Sequence, residues 1–365
     1  MVEPIRLGLV GVGGMGASHL GMEHGVVEEV RFTALCDVNR PLLEQKSKEL
    51  DLPGFADYHA LIDSGRCEAV LIATPHPFHA PVAIYAARRG LHVLTEKPIA
   101  VTVSEADAMV HAARGHGVVL GVMFQERTHP LYRTAHRLVS SGELGPLYHA
   151  VLIASHWFRS QPYYDSGTWR GTWKGEGGGV LMNQAPHSLD LFIWLAGQPR
   201  SVTAQAFTRG HDIEVEDTVS ALLDYGGGYI GYLYTTTAQW PGTMRLELSG
   251  EYGQLVVEDD RLRLYRLAQP LSESLRSGPI FERPEGRWED IPLDPAGGRG
   301  HVEVVRRFAR AVREGTPPVA DGVDGLQALE LANAVLLSGY TGQRVTLPLD
   351  RRAYDAFLAQ KRAGT

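Results

Sequence analysis

The sequence predicts an α/β protein of two domains: a doubly wound parallel sheet over residues 1–125, then an α+β domain with a large, mostly antiparallel open sheet over residues 126–365. Three observations indicate this fold class. Apolar runs of strand length alternate with helical stretches as far as residue 125, and strand-like runs then follow one another at short spacing. A chain of 365 residues is also long enough for about two domains.

The first domain is predicted from five apolar runs, each separated from the next by a helical stretch. The runs are IRLGLVGV, VRFTALCD, EAVLIATP, LHVLTEKP and VVLGVMF. A continuous apolar run closed by proline, such as EAVLIATP, is typical of a strand buried on both faces. This succession of strands and helices predicts a parallel sheet.

The second domain opens with one helix, LYRTAHRLVSSGELG, and continues with strand-like runs that glycine-containing turns separate in several places. These runs are LYHAVLIASHWF, SVTAQAFT, TVSALLDY, GYIGYLYTTTAQ, TMRLELSG, GQLVVED and RLRLYRL. Residues 268–300 are rich in Pro, Gly and Ser and are predicted to form a long excursion. The chain then becomes largely helical, and its final helices are candidates to pack back on the first domain.

The composition narrows the functional classes. A net charge of −7 provides no basic surface for nucleic acid. The two cysteines, Cys36 and Cys67, stand beside strand runs and are expected to be small core residues, which argues against a disulfide framework or a four-ligand zinc site. The sequence shows no secretory signal pattern and no run long enough to span a bilayer, so we expect a cytoplasmic protein without a membrane partner.

A glycine pattern follows the first predicted strand and opens the first helix. Gly11, Gly13 and Gly16 have G-x-G-x-x-G spacing, and the second strand ends in Asp37. Such glycines permit a tight turn whose N–H groups approach a pyrophosphate, and the carboxylate can bind a ribose diol. We therefore predict a dinucleotide-binding Rossmann domain, in which the same turn adds the contacts Gly14 and Met15. The alternative is a glycine turn that binds no ligand.

Asp37 favours NAD as the cofactor, because a carboxylate repels the 2′-phosphate of NADP. Arg40 could offset that repulsion, which keeps NADP as the alternative cofactor. The other interpretation of Arg40 is a solvated charge at the start of a helix.

TEKPIA places Lys97 just past the end of the fourth strand, the edge at which open α/β sheets bind their ligands. A lysine there can hydrogen-bond a substrate hydroxyl and share in proton transfer. The alternative is a surface charge pair between Glu96 and Lys97.

The stretch GEGGGVLMNQAPHSLDLFIWLAG, residues 175–197, begins with four glycines in five residues. If one helix follows, its polar face is formed by Asn183, His187, Asp190 and Trp194. Pro186 is tolerable only in the first turn of a helix. This polar face meets either solvent or a bound molecule.

These motifs together resemble one known family. GVGGMG, CDVN, ATPHPFHA, TEKPIA and GGGVLMNQAPHSLDLFIWLAG, in this order, look like the glucose–fructose oxidoreductase, inositol dehydrogenase and rhizopine catabolism (Gfo/Idh/MocA) family, as does the closing GLQALELANAVLLSGYTGQRVTLPL. The resemblance implies an N-terminal Rossmann domain and a C-terminal α/β domain whose open sheet often mediates dimers or tetramers. It also implies NAD(P)-dependent oxidation or reduction of a sugar, cyclitol or related polyol.

The resemblance assigns roles to three residues. Lys97 matches the family's strand-end lysine and His187 its histidine, whereas Asn183 replaces the usual aspartate. His187 would take the proton from a hydroxyl as hydride leaves the same carbon, and Lys97 would orient that hydroxyl. Asn183 cannot titrate, so it would only orient, and the division of labour between Lys97 and His187 stays open. The glycine run would let the backbone pass close to nicotinamide and substrate; the alternative for His187 is a helix-start histidine satisfied by its neighbours.

The resemblance also implies further contacts. To the cofactor it adds Thr74, Pro75, His79, Glu96, Lys97 and Gln125, and to the substrate it adds Arg127. For Gln125 and Arg127 the alternative is an interdomain hydrogen bond or ion pair. His76 and His79 have the H-x-x-H spacing of metal ligands, but no third ligand is evident, so we predict no metal site.

The aromatic stretch SHWFRSQPYYDSGTWRGTW, residues 155–173, is the predicted substrate wall. Flat rings beside cations suit a sugar ring, although they also suit a subunit interface. The expected contacts are His156, Trp157, Arg159, Tyr163, Trp169 and Trp173, joined by Asn183. Because no dense arginine cluster demands a phosphate, we expect a neutral sugar or cyclitol.

Three functions compete. The leading one is an NAD(P)-dependent dehydrogenase or reductase acting on a sugar or cyclitol. A glycosidase that holds NAD tightly and oxidises its substrate only transiently predicts no net cofactor turnover. A cofactor-binding sensor with a dead site predicts NAD binding that does not depend on Lys97 or His187.

Overall fold

A computed structural model of the chain describes residues 3–21 and 27–364. The chain divides into two compact units, each assembled from separate segments. The first unit consists of Met1–Thr128, Gly175–Gly177 and Gly298–Leu329, and the second of His129–Lys174, Gly178–Gly297 and Glu330–Thr365. The chain therefore leaves the first unit and returns to it twice.

Parallel strands form the sheet of the first unit. They are β1 (Ile5–Val10), β2 (Val30–Cys36), β3 (Gly54–Phe55), β4 (Ala69–Ile72), β5 (His92–Thr95) and β6 (Leu120–Val122), in the spatial order β3-β2-β1-β4-β5-β6. The helices between them are α1 (Gly14–Gly21), α2 (Arg40–Leu50), α3 (Tyr58–Asp63), α4 (His79–Arg88) and α5 (Val103–Gly115). This order confirms the predicted doubly wound sheet. The apolar pattern missed β3, because two residues are too few to show one.

The second unit is built on a nine-stranded sheet. Its elements in chain order begin with α6 (Pro130–Ser140), β7 (Leu147–Ala154), α7 (Gln161–Asp165), α8 (Val180–Asn183), α9 (Pro186–Ala196), β8 (Ser201–Phe207), β9 (Thr218–Gly226), β10 (Tyr229–Thr236), β11 (Met244–Gly250), β12 (Gly253–Glu258), β13 (Arg261–Leu267), α10 (Leu271–Ser277) and β14 (Gly286–Asp290). The last strand, β15 (Val345–Thr346), completes the order β14-β13-β12-β11-β7-β10-β9-β8-β15. Only β7 and β10 pair in parallel among these described strands, which confirms a mostly antiparallel sheet.

The chain ends with the helices α11 (Gly300–Glu314), α12 (Gly322–Thr341) and α13 (Arg351–Arg362). The first of them completes the core of the first unit, because Val304 and Phe308 are buried in one cluster with Leu7, Leu9 and Leu94. Burial of this apolar surface is the physical reason that α11 belongs to the first unit although it follows the second sheet in sequence. Within residues 3–21 and 27–364, no helix is both long and apolar enough to cross a membrane.

The predicted excursion over residues 268–300 is partly regular. It contains α10 and β14, and β14 pairs with β13 to extend the edge of the sheet. Its Pro, Gly and Ser content masked a five-residue strand whose side chains are mostly exposed and therefore show no apolar alternation.

The prediction of one helix after the glycine run is wrong. Helix α8 ends at Asn183, and α9 begins at Pro186, so two residues interrupt the helix. Pro186 is the first helical residue of α9, where its missing N–H is not needed, as the sequence required. Asn183 therefore does not share a continuous helix face with His187.

Both cysteines are buried free thiols. Burial raises the pKa of Cys36 to about 12 and that of Cys67 to about 11, so both thiols stay protonated. This confirms their predicted role as small core residues.

Candidate active site

The glycine turn lies after β1, next to β4, where the spatial order of the strands reverses. Gly11 has a φ of +93°, and a Cβ there would lie 2.6 Å from the carbonyl oxygen of Ala73. A Cβ on Gly16 would lie 1.9 Å from the carbonyl oxygen of Gly11, so only glycine lets α1 pack on the turn. A Cβ on Gly13, by contrast, would meet no atom closer than Leu42 Cδ2 at 3.9 Å. That free space lets a pyrophosphate approach the backbone.

Asp37 follows β2 and is held by two backbone donors. Its Oδ2 accepts from the N–H of Val12 and its Oδ1 from the N–H of Asn39, both at 2.8 Å. A carboxylate has about four acceptor positions, so two remain for a ribose diol. Arg40, the first residue of α2, is exposed, in agreement with a solvated charge.

His79 ties the loop after β4 to the loop after β5. Its Nε2 lies 2.8 Å from the carbonyl oxygen of Thr74, and its Nδ1 lies 2.8 Å from that of Pro98. Burial lowers the pKa of His79, and this outweighs the raising effect of the two carbonyl oxygens. The Thr74 hydroxyl is buried with no hydrogen-bond partner among the described residues, as expected of a group that meets a bound cofactor.

The H-x-x-H pair makes contacts that a structural role explains. Both ring nitrogens of His79 face carbonyl oxygens, and His76 Nδ1 lies 3.2 Å from the carbonyl oxygen of Glu176. In the described ranges, no three His, Cys, Asp or Glu side chains are placed to hold a metal ion.

Lys97 lies two residues beyond β5 and is half-buried. The backbone N–H of Lys97 donates to Glu96 Oε2 at 3.2 Å, and Glu96 Oε1 lies 2.7 Å from His19 Nε2. Glu96 and His19 are only 6% and 2% exposed. The predicted alternative, a surface pair of Glu96 with Lys97, is therefore wrong, because the acid points inward to a histidine of α1.

The buried acid stays ionised. Burial by itself raises the pKa of Glu96, but the hydrogen bond from His19 and the electrostatic interactions with His19, Lys97 and His301 lower it to about 2. The ring of His301 meets that of His19 edge-on, with centroids 5.6 Å apart. Glu96 thus anchors the loop that carries Lys97.

Glu96→Gln is expected to destabilise the protein by about 3 kcal/mol at neutral pH. The carboxyl has a pKa of about 2 in the folded chain against an ordinary value of 4.5. Its contribution is therefore complete above pH 4.5 and is lost as the pH falls towards 2. Urea unfolding of both proteins between pH 3 and pH 7 measures this, and a difference that does not shrink at low pH would contradict the role of the charge.

In the second unit, Glu216 holds the start of α8. Its carboxylate is completely buried and accepts from the N–H groups of Gly179 at 2.8 Å and Leu181 at 3.1 Å. Its carbonyl oxygen accepts from the N–H of Val180 at 3.0 Å. These N–H groups of a first helical turn have no intrahelical acceptor, so Glu216 acts as a cap supplied from elsewhere in the chain.

The glycine run passes close to protein atoms. A Cβ on Gly179 would lie 1.8 Å from the carbonyl oxygen of Glu216. Within the first unit, a Cβ on Gly177 would lie 2.2 Å from Val101 Cγ1. Packing of the protein itself therefore requires glycine at these two positions, and the approach of the run to nicotinamide and substrate stays a prediction.

Helices α8 and α9 place the two predicted polar residues at their ends. Asn183 is the last residue of α8 and is half-buried, and His187 is the second residue of α9 and is 8% exposed. The anchoring of α8 by Glu216 thus fixes the backbone just before both residues.

The predicted substrate wall divides into two clusters. Trp173 is buried, donates Nε1–H to the carbonyl oxygen of Glu214 at 3.1 Å, and meets the rings of Tyr340 and Phe357 edge-on. It is not brought together with the rest of the wall. The other cluster contains His156, Trp157, Arg159, Tyr163 and Trp169, with Arg170 among the rings.

Two predicted contacts lie near the end of β6. Gln125 begins a short 3-10 turn, Gln125–Thr128. Arg127 is buried and forms an ion pair with Asp324, with 3.1 Å between Nη1 and Oδ2. Both residues of this pair belong to the first unit.

Comparison with known proteins decides the family. An oxidoreductase family with an NAD-binding Rossmann fold matches residues 5–124, and the Gfo/Idh/MocA C-terminal domain matches residues 132–256. The WlbA dehydrogenase from Bordetella pertussis, solved with NADH and UDP-GlcNAcA, is 30% identical, with a TM-score of 0.79 over 95% of this chain and 100% of that one. The chain belongs to the Gfo/Idh/MocA family.

Other Gfo/Idh/MocA relatives match over nearly their full length. Levoglucosan dehydrogenase of Pseudarthrobacter phenanthrenivorans is 24% identical over 95% of this chain and 99% of its own. The scyllo-inositol 2-dehydrogenase (NAD(+)) of Bacillus subtilis is 24% identical over 97% of this chain and 99% of its own. Family membership confirms the predicted fold class, the oxidoreductase activity and the NAD-binding first unit.

Three residues that shape this Gfo/Idh/MocA site escaped the sequence analysis: His19, Glu176 and Glu216. His19 lies one helical turn after Gly16, and that spacing was a usable signal, because it places both on one face of α1. Glu216 lies in a polar loop before β9, and nothing local reveals that its carboxylate is buried against a helix thirty-odd residues earlier.

Proposed function

We propose that this oxidoreductase transfers hydride between NAD(P) and a hydroxyl-bearing carbon of a sugar or cyclitol. The observation that carries the proposal is the glycine turn with free space at Gly13, combined with an anchored strand-end lysine, Lys97, and a helix-start histidine, His187. The dehydrogenases of levoglucosan and scyllo-inositol among its relatives support this substrate class.

The residues of this chain would divide the work as follows. When bound, the nicotinamide supplies the hydride acceptor or donor. His187 takes the proton from the substrate hydroxyl, and Lys97 donates a hydrogen bond to the oxygen of that hydroxyl. Asn183 orients the substrate, since an amide cannot titrate.

Binding roles follow for the remaining predicted residues. The proposed cofactor contacts are Gly11, Gly13, Gly14, Met15, Gly16, Asp37, Arg40, Thr74, Pro75 and Gln125. The buried partners His79 and Glu96 position the loops that carry Thr74 and Lys97. The proposed substrate contacts are His156, Trp157, Arg159, Tyr163 and Trp169, whereas Arg127 and Trp173 are better explained by their ion pair and core packing.

Asp37→Asn is expected to shift cofactor preference from NADH towards NADPH by about 10–100-fold in the ratio of the two Kd values. The amide keeps one oxygen for one of the two backbone donors, loses the second acceptor, and removes the charge that repels a 2′-phosphate. Fluorescence titration with both reduced cofactors measures the ratio. Asp51→Asn, at the exposed end of α2, is the control, and an unchanged ratio in the Asp37 variant would contradict NAD selection by the carboxylate.

The proposed activity is tested with sugars, cyclitols and their keto forms, each supplied with NAD and NADP in both redox states. We expect the absorbance of the reduced cofactor to change with at least one polyol. Cofactor binding without any reaction, followed by cleavage of a glycoside, would instead support the glycosidase. Binding without either reaction would support the sensor.

We propose that the chain forms a homodimer or homotetramer through the open face of its nine-stranded sheet. The strand register places Thr203, Leu222, Tyr232 and Val151 side by side on one face. Leu222 and, one row along, Ile230 are 65% and 57% exposed. Exposed apolar side chains grouped on a sheet support association between subunits.

We propose a cytoplasmic location. The support is the state of the two cysteines, which are buried free thiols. Unpaired cysteines are typical of proteins that work in a reducing compartment.

A further inference from the structure

Two arginines contact one tyrosine ring in the second unit. The guanidinium carbon of Arg159 lies 4.8 Å from the ring centroid of Tyr163, and that of Arg170 lies 4.5 Å from the same centroid. Each guanidinium also lies near a second ring, Trp157 at 5.7 Å for Arg159 and Trp169 at 4.4 Å for Arg170. We call the group of Arg159, Tyr163 and Arg170 the Arg–Tyr–Arg stack.

The two guanidinium charges have no carboxylate partner among the described residues. Arg159 Nη1 donates to the carbonyl oxygen of Phe158 at 2.9 Å, and Arg170 Nη1 donates to the Tyr163 hydroxyl at 2.7 Å, both neutral acceptors. The chain has 42 acidic against 35 basic residues, so acids are not scarce. Two neighbouring cations without a counter-charge are suited to an anion supplied from outside the chain.

Buried donors beside the stack also lack acceptors. Arg159 Nε and Trp157 Nε1 are both inaccessible to solvent and have no hydrogen-bond partner in the part of the chain that is described. Neither group can act as an acceptor, so each needs an acceptor atom that the described residues do not supply. Leaving such a donor unsatisfied costs about 1–3 kcal/mol, which makes a ligand the expected partner.

The backbone of Arg159 is held in place by two hydrogen bonds. Its N–H donates to the carbonyl oxygen of Thr237 at 3.0 Å, and its own carbonyl oxygen lies 2.9 Å from His211 Nε2. His211 Nδ1 in turn lies 2.9 Å from Asp217, a fully buried carboxylate. These bonds fix the backbone from which the Arg159 side chain extends, and the side chain itself is oriented by its bond to the carbonyl oxygen of Phe158.

The stack also adjoins the residues to which we assign the substrate. Gln184 Nε2 donates to the Tyr163 hydroxyl at 3.2 Å, and Gln184 directly follows Asn183. The Tyr163 hydroxyl accepts from both Gln184 and Arg170, so neither bond uses its own hydrogen.

We infer that the substrate is an anionic sugar, and that the Arg–Tyr–Arg stack binds its carboxylate or phosphate group. This inference rests on the proposed sugar dehydrogenase function and narrows it, since it replaces the neutral substrate expected from the sequence. A carboxylate and a phosphate both present paired oxygens to a guanidinium group. The structure therefore assigns a negative charge to the substrate, and the experiment decides whether a carboxylate or a phosphate carries it.

Matched neutral and anionic sugars test the inference. The NADH-loaded protein is titrated calorimetrically with glucose, glucuronate and glucose 6-phosphate, and with the corresponding galactose series. We expect an anionic member to bind at least about tenfold more tightly than its neutral parent, and the tighter of the two anions identifies the source. In Arg159→Gln and Arg170→Gln, the Kd of that anion should rise by about 10–100-fold, and by a larger factor than the Kd of its neutral parent.

Arg276→Gln is the matched control, because Arg276 is an exposed arginine of the same unit. Equal affinity for neutral and anionic members in both series, including no measurable affinity for any of them, overturns the inference. An unchanged Kd for the anion in the variant that carries both Arg159→Gln and Arg170→Gln also overturns it. So does a higher Kd for NADH with no change in the Kd for the sugars, which would assign the arginines to cofactor binding. If the protein turns over neutral sugars and the variants do so equally well, only the inference of an anionic substrate is rejected. If an anionic sugar binds but no sugar is oxidised, only the proposed dehydrogenase function is rejected.

Discussion

His187→Ala is expected to lower kcat by about 10²–10⁴-fold and to leave the Kd for NADH within about threefold of its original value. The reason is that His187 is proposed to carry the proton of the reacting hydroxyl. It stands at the start of α9 in the second unit, whereas the glycine turn and Asp37 belong to the first. Steady-state rates with the polyol found in the substrate screen and fluorescence titration with NADH measure the two quantities.

His187→Gln distinguishes proton transfer from hydrogen bonding. A glutamine can donate and accept hydrogen bonds but cannot take up a proton near neutral pH. We expect it to be as slow as the alanine variant. Near-normal turnover by the glutamine variant, or loss of NADH binding by either one, would contradict the role assigned to His187.

Glu216→Ala is expected to lower the free energy of unfolding by about 3–5 kcal/mol and to reduce the activity of the protein that still folds. The substitution leaves the N–H groups of Gly179 and Leu181 without their buried acceptor. The turn that leads to Asn183 and His187 then loses the group that holds it. Urea unfolding measures the first effect, and kcat below the unfolding transition measures the second.

Glu214→Ala is the matched control for this variant. Glu214 lies two residues earlier and is exposed, and its carboxylate accepts a single hydrogen bond, from the backbone N–H of Trp173 at 3.0 Å. We expect it to cost no more than about 1 kcal/mol. Equal losses in the two variants would show that the buried carboxylate has no special role in holding α8.

The sequence predicted those parts of the fold that depend on local pattern. Continuous apolar runs identified the long parallel strands, because helices cover both faces of that sheet. The two-residue strands β3 and β15 show no such pattern, since their pairing partners rather than their own composition make them strands. The sequence did not predict the interruption between α8 and α9, because the spacing of apolar and polar residues around it also fits one continuous helix.

The site was predictable where a motif imposes its own geometry. The turn from Gly11 to Gly16 is one such case, because the close contact between these glycines excludes any side chain. The hydrogen bond between Glu96 and His19 was not predictable, because it joins residues 77 positions apart. The same holds for Arg159 and Arg170, which lie eleven residues apart in the sequence and contact the same ring, that of Tyr163. The number of arginines in the sequence does not reveal which of them have no carboxylate partner in the folded chain.

The discontinuity of the first unit has a consequence for the biosynthesis of the protein. Its apolar core includes Val304 and Phe308 of α11, which are translated long after β6. At typical rates of about 5–20 residues per second, the ribosome needs roughly ten to thirty seconds to reach α11. During that interval the nascent strands expose the apolar surface that α11 later covers. We therefore expect the nascent chain to bind a chaperone until α11 has been translated.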